Sequence, residues 1–298
     1  MPTHLGQDSK RILGNNSQRA RKSQSGFDRV DSRLEEHELP QFNRYIGIDY
    51  SGAETADSSC KGIRVFMAEG SGEPVQIQPP PSPRRYWTRR GLAEWLCEEL
   101  AAETPTIVGI DHGFSFPIAY FDRYQLPRDW PNFLLDFQRH WPTHEPHTYI
   151  DFIRDGLIGE GSKRMGENTW LRLTERWTAT AKSVFLFDVQ GSVAKSTHAG
   201  LPWLLYLRNW CKRPIHFWPF DGWEVPQGSS VVAEVYPALW MRRFEREGRD
   251  GDEHAAYATA AWLQRADGEG SLKGFFNPPL TPEERGVADI EGWILGVV

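Results

Sequence analysis

Two short runs in this chain follow one pattern: an apolar stretch that ends in Gly-Ile-Asp and then meets turn-forming residues. The first is R-Y-I-G-I-D-Y-S-G over residues 44–52, and the second is I-V-G-I-D-H-G over 107–113. Each reads as a buried strand closed by a turn. Each also finishes on a carboxylate, Asp49 or Asp111. Such an acid at the tip of a central strand is not there for packing, because burying it unpaired is costly; it needs a cation, a donor or a metal. If the two strands are neighbours, the acids lie side by side, and that pair is the first place to look for chemistry.

The surrounding pattern gives these strands a setting. Residues 62–68 and 75–78 read as two further strands joined by the turn E-G-S-G-E-P over 69–74, and Pro79, Pro80 and Pro81 stop the second. Leu92, Trp95, Leu96 and Leu100 recur at helical spacing over 88–102, with Thr88 as N-cap, and the fourth strand follows at 106–111. From about 118 to 217 the chain turns helical and aromatic with many proline breaks. Helices are expected there at 130–140, 149–154, 170–181 and 201–210, with an extended run at 184–189. So long a connection is an inserted helical subdomain, not a plain loop. A strand at 230–235 then carries Glu234 near its end. The helix expected at 252–265 presents Ala255, Ala256, Ala260 and Ala261 as a small-residue face for close packing on a sheet, and a last helix is expected at 282–295. The fold class expected is α/β: a mixed five-stranded sheet flanked by helices, with a large helical insertion after the fourth strand.

Composition bounds the rest. With 298 residues, 39% hydrophobic and 25% charged, the chain has enough material for a large core. Residues 1–42 are polar and read as a disordered arm whose Lys10, Arg11, Arg19, Arg21, Lys22, Arg29 and Arg33 give it a basic character; a solvated tail is the plain reading of it. The net charge of −6 argues against a generic basic nucleic-acid binder, although acids gathered at a metal would contribute to it. Cys60, Cys97 and Cys211 are widely spaced and odd in number, so no disulfide framework or zinc knuckle is expected, which fits a reducing cytosol. No run approaches the roughly 18 apolar residues of a membrane span, and the opening M-P-T-H-L-G-Q-D-S-K lacks the apolar stretch of a signal peptide. A cytoplasmic location is expected.

Asp49, Asp111, Glu234 and Asp252 each fall at an expected strand end or helix start. Mg²⁺ and Mn²⁺ prefer carboxylate oxygens, and two-metal phosphodiester cleavage needs several acids within a few ångströms. Singly, each has a structural reading as turn former, surface residue or helix cap, and Asp250 with Glu253 fits a capping box. Together, in this strand order, they read as one metal site. Lys195-Ser196-Thr197 is no P-loop, since Ala194 and Val189 stand where glycines are required. Gly191, Ser192, Lys195 and Ser196 precede an expected helix and suit a phosphate oxygen, with an ordinary loop and cap as the alternative. His112 and His198 are candidates for protonating a leaving group, or for structural burial. The cluster His140, His144 and His147 is broken by Pro142 and Pro146, so polar loop histidines are favoured over zinc. The aromatic run Trp203, Trp210, Phe217, Trp218, Phe220 and Trp223 reads as core before it reads as a base-stacking surface.

The longer motifs carry a resemblance. I-G-I-D-Y-S-G (46–52), G-I-D-H-G-F-S-F-P (109–117), D-V-Q-G-S-V-A-K-S-T-H-A-G-L-P-W (188–203), H-F-W-P-F-D-G-W (216–223), E-V-Y-P (234–237), D-E-H-A-A-Y (252–257) and E-G-W-I-L-G-V (291–297) are similar to an uncharacterised bacterial domain-of-unknown-function family of predicted RNase H-like nucleases. The resemblance runs from about residue 45 to the end. It implies an RNase H-like sheet with metal-binding acids on the first strand, the fourth strand and a C-terminal helix; Asp49, Asp111 and Glu234 match the family's acids. One position departs: Ala255 stands where the pattern has an acid. Either Asp252 or Glu253 is expected to substitute for it, or the second metal is weakly held; Asp252, one helical turn earlier on the same face, is the geometrically reasonable substitute. The expectation is a two-metal nuclease using Mg²⁺ or Mn²⁺ on RNA or DNA. Its ligands are Asp49, Asp111, Glu234 and Asp252, with Lys195, Ser192, Ser196 and His198 at the substrate. The alternatives are an RNase H-like binding module that has lost activity and, less well matched, an actin-like ATP-dependent phosphotransferase.

Overall fold

Helix and sheet meet where glycine leaves room for them. The computed structural model describes residues 40–80, 85–178 and 180–298. The strands are β1 (Arg44–Asp49), β2 (Arg64–Glu69), β3 (Val75–Gln76), β4 (Thr106–Asp111), β5 (His216–Trp218) and β6 (Val231–Glu234). They form one mixed sheet of six strands in the order β3-β2-β1-β4-β6-β5. The β1–β2 and β2–β3 pairs are antiparallel; β1–β4, β4–β6 and β5–β6 are parallel. The sheet therefore has one strand more than the five expected. β5 is three residues long and buried throughout, so it has no alternation by which sequence could mark it as a strand.

Strand alternation sends Ile46, Ile48, Val108 and Ile110 to one face, into the larger core cluster. There they meet α1 (Arg89–Glu99), α3 (Trp130–His140) and α6 (Ala194–Trp210). Gly47 and Gly109 are paired in the β1–β4 register and face the other way, toward α7 (Gly251–Gly268). A Cβ on Gly47 would stand 2.6 Å from the Ala260 nitrogen, and one on Gly109 2.8 Å from a Thr259 methyl. The glycine of each Gly-Ile-Asp is thus the residue that admits α7. The expected alanine face is its counterpart: Ala255, Ala256, Ala260 and Ala261 are all buried. Asp250 caps α7, accepting the Glu253 N–H at 2.8 Å, and Glu253 returns the bond to the Asp250 N–H at 3.0 Å.

The connection between β4 and β6 carries α2 (Ile118–Tyr124), α3, α4 (Ile150–Arg154), α5 (Leu173–Trp177), α6 and β5. The helix expected at 170–181 is only α5, and 184–189 contains no strand. α6 begins at Ala194, earlier than 201, and runs through Pro202. The carbonyl that this proline leaves without its helical partner, that of His198, accepts the Thr143 hydroxyl at 2.7 Å. The chain closes with α8 (Leu272–Phe275) and α9 (Pro282–Glu291); Gly292, at φ +78°, ends α9 before the expected 295.

Two expectations need correction. The arm expected over 1–42 lies outside the described residues except for 40–42, and there Phe42 is buried. The N–H groups of Gln41 and Phe42 bind the Asp267 carboxylate at 3.0 and 2.9 Å, so the folded part starts slightly earlier than expected. Cys97 and Cys211 form a disulfide. They are 114 residues apart, and only the packing of α1 on α6 brings them together. Among the described residues, no helix is long and apolar enough to cross a membrane.

Gly47→Ala is expected to lower stability by about 3 kcal/mol or more, because the methyl meets helix backbone, not a movable side chain; urea unfolding measures it. Cys97→Ser, or reduction, is expected to cost about 2–4 kcal/mol through the long loop the bridge closes, read as a shift in the urea midpoint with and without dithiothreitol.

Candidate functional site

β1 and β4 are parallel neighbours whose residues pair in register to their last positions, Asp49 opposite Asp111. From β1 the chain goes to β2 and β3 on one side and then returns to β4 on the other. The carboxyl ends of these two strands therefore flank a topological switch point, where open α/β sheets form ligand crevices. Both acids lie on the α7 face, two residues beyond the paired glycines. Both are half-buried, and among the described residues neither carboxylate accepts a hydrogen bond or forms an ion pair.

Electrostatics registers this crowding. The Asp49 carboxyl is pushed well above the usual carboxylate range, first by burial and then by the charges of Asp111 and Asp252, with Arg64 pulling the other way. Burial and then the Glu234 charge push Asp111 up to about 7. Arg64, opposite Asp49 in the β1–β2 register, is buried and reaches the first turn of α7, with Nη2 3.2 Å from Asp250 and Nε 3.5 Å from Glu253. It also donates to the Lys61 carbonyl. Sequence offers no signal for this cation beyond its place at the start of an alternating strand.

Asp252 is exposed at the start of α7. A Cβ on Gly62 would lie 3.8 Å from its Oδ2 and 2.9 Å from the Ser51 hydroxyl, so Asp252 stands at the rim formed by the loop after β1. Ala255 is buried one turn further in. Glu234 lines a small cavity together with Asp111 but is turned away from Asp49 and Asp252. Its register partner is Ile110, so it points to the opposite face from Asp111. There it accepts the Phe114 N–H at 2.9 Å and both ends of the Arg172 guanidinium, at 2.7 and 2.5 Å. Burial works against the charge of Arg172, but Glu234 and Glu175 outweigh it and hold the proton more tightly than usual. Glu234 is thus a structural acid bound by Arg172 in this arrangement and not a free ligand. Among the described residues, no group of three or more His, Cys, Asp or Glu side chains is placed to hold a metal ion. The fourfold cage expected from the sequence is not assembled; the pair Asp49–Asp111 is.

The expected substrate residues divide. Lys195 and Ser196 occupy the first turn of α6, and Ser192 precedes it. Gly52, in the loop after β1, lies against this turn, where an added Cβ would be 2.7 Å from the Ser196 nitrogen. Between the loop and α4 opens a cleft of about 460 Å³ lined in part by Ser51, Tyr149, Ser192, Lys195 and Ser196. The Lys195 ammonium is paired there with Asp151 at 2.8 Å. His198 is in none of this. It is fully buried, its ring packs against Phe116, Phe137, Trp141 and Phe187, and burial lowers its pKa to about 3. It cannot touch a substrate at the surface. His112 is buried too, Nδ1 against the Gly113 carbonyl at 2.9 Å, and its pKa falls to about 4. Of the aromatic run, Trp203, Phe217 and Trp218 are core, and Trp210 is exposed.

A divalent ion fits the Asp49–Asp111 pair in chemistry: two hard oxygen donors that have no competing partner among the described residues. No protein-family model, curated protein or solved structure matches the chain.

Without metal, Asp111 holds a proton in the native state that the unfolded chain releases near its ordinary value of about 4. Stability is therefore expected to fall as pH rises from there through about 7. Asp111→Asn removes the share of this slope that Asp111 contributes and leaves that of Asp49, so the variant should gain on the wild type between about pH 5 and about pH 8 in EDTA, measured by urea unfolding at each pH.

Proposed function

We propose that this chain is a divalent-metal-dependent phosphodiesterase acting on nucleic acid, built on an RNase H-like sheet. The observation that carries the reading is the in-register pair Asp49–Asp111 at the carboxyl ends of two parallel strands, both carboxylates free of protein partners among the described residues. The order of antiparallel hairpins followed by parallel strands supports the fold part of the reading, as does α7 crossing the same face with Asp252 at its start.

In this reading Asp49 and Asp111 hold one Mg²⁺ or Mn²⁺, with Asp252 at the rim. When bound, the ion supplies a Lewis acid for the phosphoryl oxygens and lowers the pKa of water. The protein's own contribution is placement. The glycine-seated α7 fixes Asp252 relative to β1, and Arg64 offsets part of the negative charge beside Asp49. Across the cleft, the Ser192 hydroxyl accepts the Ala194 N–H at 3.2 Å and the first turn of α6 presents Lys195, which suits a phosphate if Lys195 exchanges Asp151 for it. Glu234 holds the fold together and takes no part in ion binding. A second reading, a binding module with little or no activity, is favoured by the missing third ligand.

Purified protein with Mn²⁺ is expected to cleave at least one of RNA, DNA and their hybrid, and Asp49→Asn to abolish both Mn²⁺ binding and cleavage. Glu234→Gln should still bind Mn²⁺ while losing about 3–5 kcal/mol of stability, because it leaves Arg172 buried and poorly paired. Calorimetry and gel assays decide. Equal behaviour of the wild type and Asp49→Asn toward both metal and substrate overturns the proposal.

A further inference from the structure

Helix α1 begins with two arginines, Arg89 and Arg90, and has no acid in its first turn. That is the reverse of what the helix dipole favours at an N-terminus. Arg89 is fully buried, and among the described residues no carboxylate pairs with it. Its guanidinium instead donates to three backbone carbonyls of the loop after β1: Nη1 to Ala53 at 2.7 Å and Ser51 at 3.4 Å, and Nη2 to Glu54 at 2.9 Å. Its Nε has no partner. Glu54 is held at φ +62°, in the left-handed region, although it is not glycine.

Three unfavourable features thus fall on one four-residue loop: a buried cation without a counter-ion, a cation at the positive end of a helix, and a strained non-glycine backbone. Local rules broken together at one place mark a functional constraint more often than an accident of packing. The loop follows Asp49 directly and forms one wall of the 460 Å³ cleft. Arg90 extends the pattern. Its Nε binds Asp57 at 2.7 Å and its Nη2 the His144 carbonyl at 3.2 Å, on the segment leading to Tyr149 and the opposite wall. The first two residues of one helix are therefore tied to both sides of the cleft.

The geometry points to Arg89 as a positioning residue that sets the loop over residues 51–54, and with it the wall of the cleft that faces Lys195, where a nucleic acid strand would lie. The inference rests on the nuclease reading for its substrate, but the clamp itself rests only on the contacts of Arg89. A lysine keeps the charge but lacks the fork that spans the carbonyls.

The experiment compares wild type, Arg89→Lys and Arg89→Met for urea stability, hydrogen exchange at 51–54, Mn²⁺ affinity, binding of a fluorescent single-stranded oligonucleotide, and cleavage kinetics. Arg89→Lys is expected to stay folded, to exchange faster at 51–54 and to bind Mn²⁺ as the wild type does. Its KM should rise about tenfold with kcat nearly unchanged, since substrate placement and not the ion is disturbed. Unchanged loop exchange, or unchanged oligonucleotide affinity and KM, in Arg89→Lys overturns the clamp even if Arg89→Met is unstable. If the wild type neither binds Mn²⁺ nor cleaves, the nuclease reading fails. Faster loop exchange with weaker oligonucleotide binding in Arg89→Lys would then support the clamp, and unchanged values would overturn it.

Discussion

The close seating of α7 on the paired strands β1 and β4 is the contact on which the rest depends. Gly47 and Gly109 stand opposite each other, and the helix backbone occupies the space where their side chains would be. Because side chains alternate along a strand, the same choice that turns glycine toward the helix turns the aspartate two residues later toward it as well. Packing and chemistry are thus two consequences of one register. The helix cannot lie this close without glycines, and the acids cannot share a face with its first turn unless it does.

Charge is managed differently on the two sides of the sheet. On the α7 face, Asp49 and Asp111 keep their oxygens unpaired among the described residues, and Arg64 moderates the field from the neighbouring strand. On the other face Arg172 binds Glu234 and Glu175 in full burial, and the Glu291 carboxylate accepts the Ile118 N–H at 2.7 Å. The Leu295 N–H returns to the Glu234 carbonyl at 2.9 Å. Buried ionic networks of this kind are costly to break by halves. Here one joins the inserted helices, the sheet and the C-terminal segment, so Glu234 spends its charge on holding three parts of the fold together.

The loop that walls the cleft is held by helices that start beside it. α6 opens against Gly52, and α1 opens with the arginine that grips the loop after β1. The same helices are joined near their far ends by Cys97 and Cys211. Placement of the cleft is therefore a property of a helix pair tied at both ends, more than of the loop that lines it.

Much of this was readable in order. The Gly-Ile-Asp ends, the hairpin before α1, the Thr88 cap, the Asp250–Glu253 box and the alanine face of α7 are local patterns. A local pattern suffices because strand alternation, helical period and capping act within a few residues. What remained hidden depends on partners distant in the chain. Glu234 ends its strand on an acid as Asp49 and Asp111 do, yet a register offset of one residue against β4 puts it on the other face, beside an arginine no spacing could have paired with it. His198 sits next to polar residues in sequence and among aromatic rings in space; Cys97 and Cys211 meet only because α1 packs on α6. Sequence alone determined where β1, β2, β4, β6, α1, α3 and α7 lie and which residues seek burial. Tertiary structure decided which face each acid occupies and which charges are already satisfied, since both depend on the alignment of segments that sequence distance does not encode.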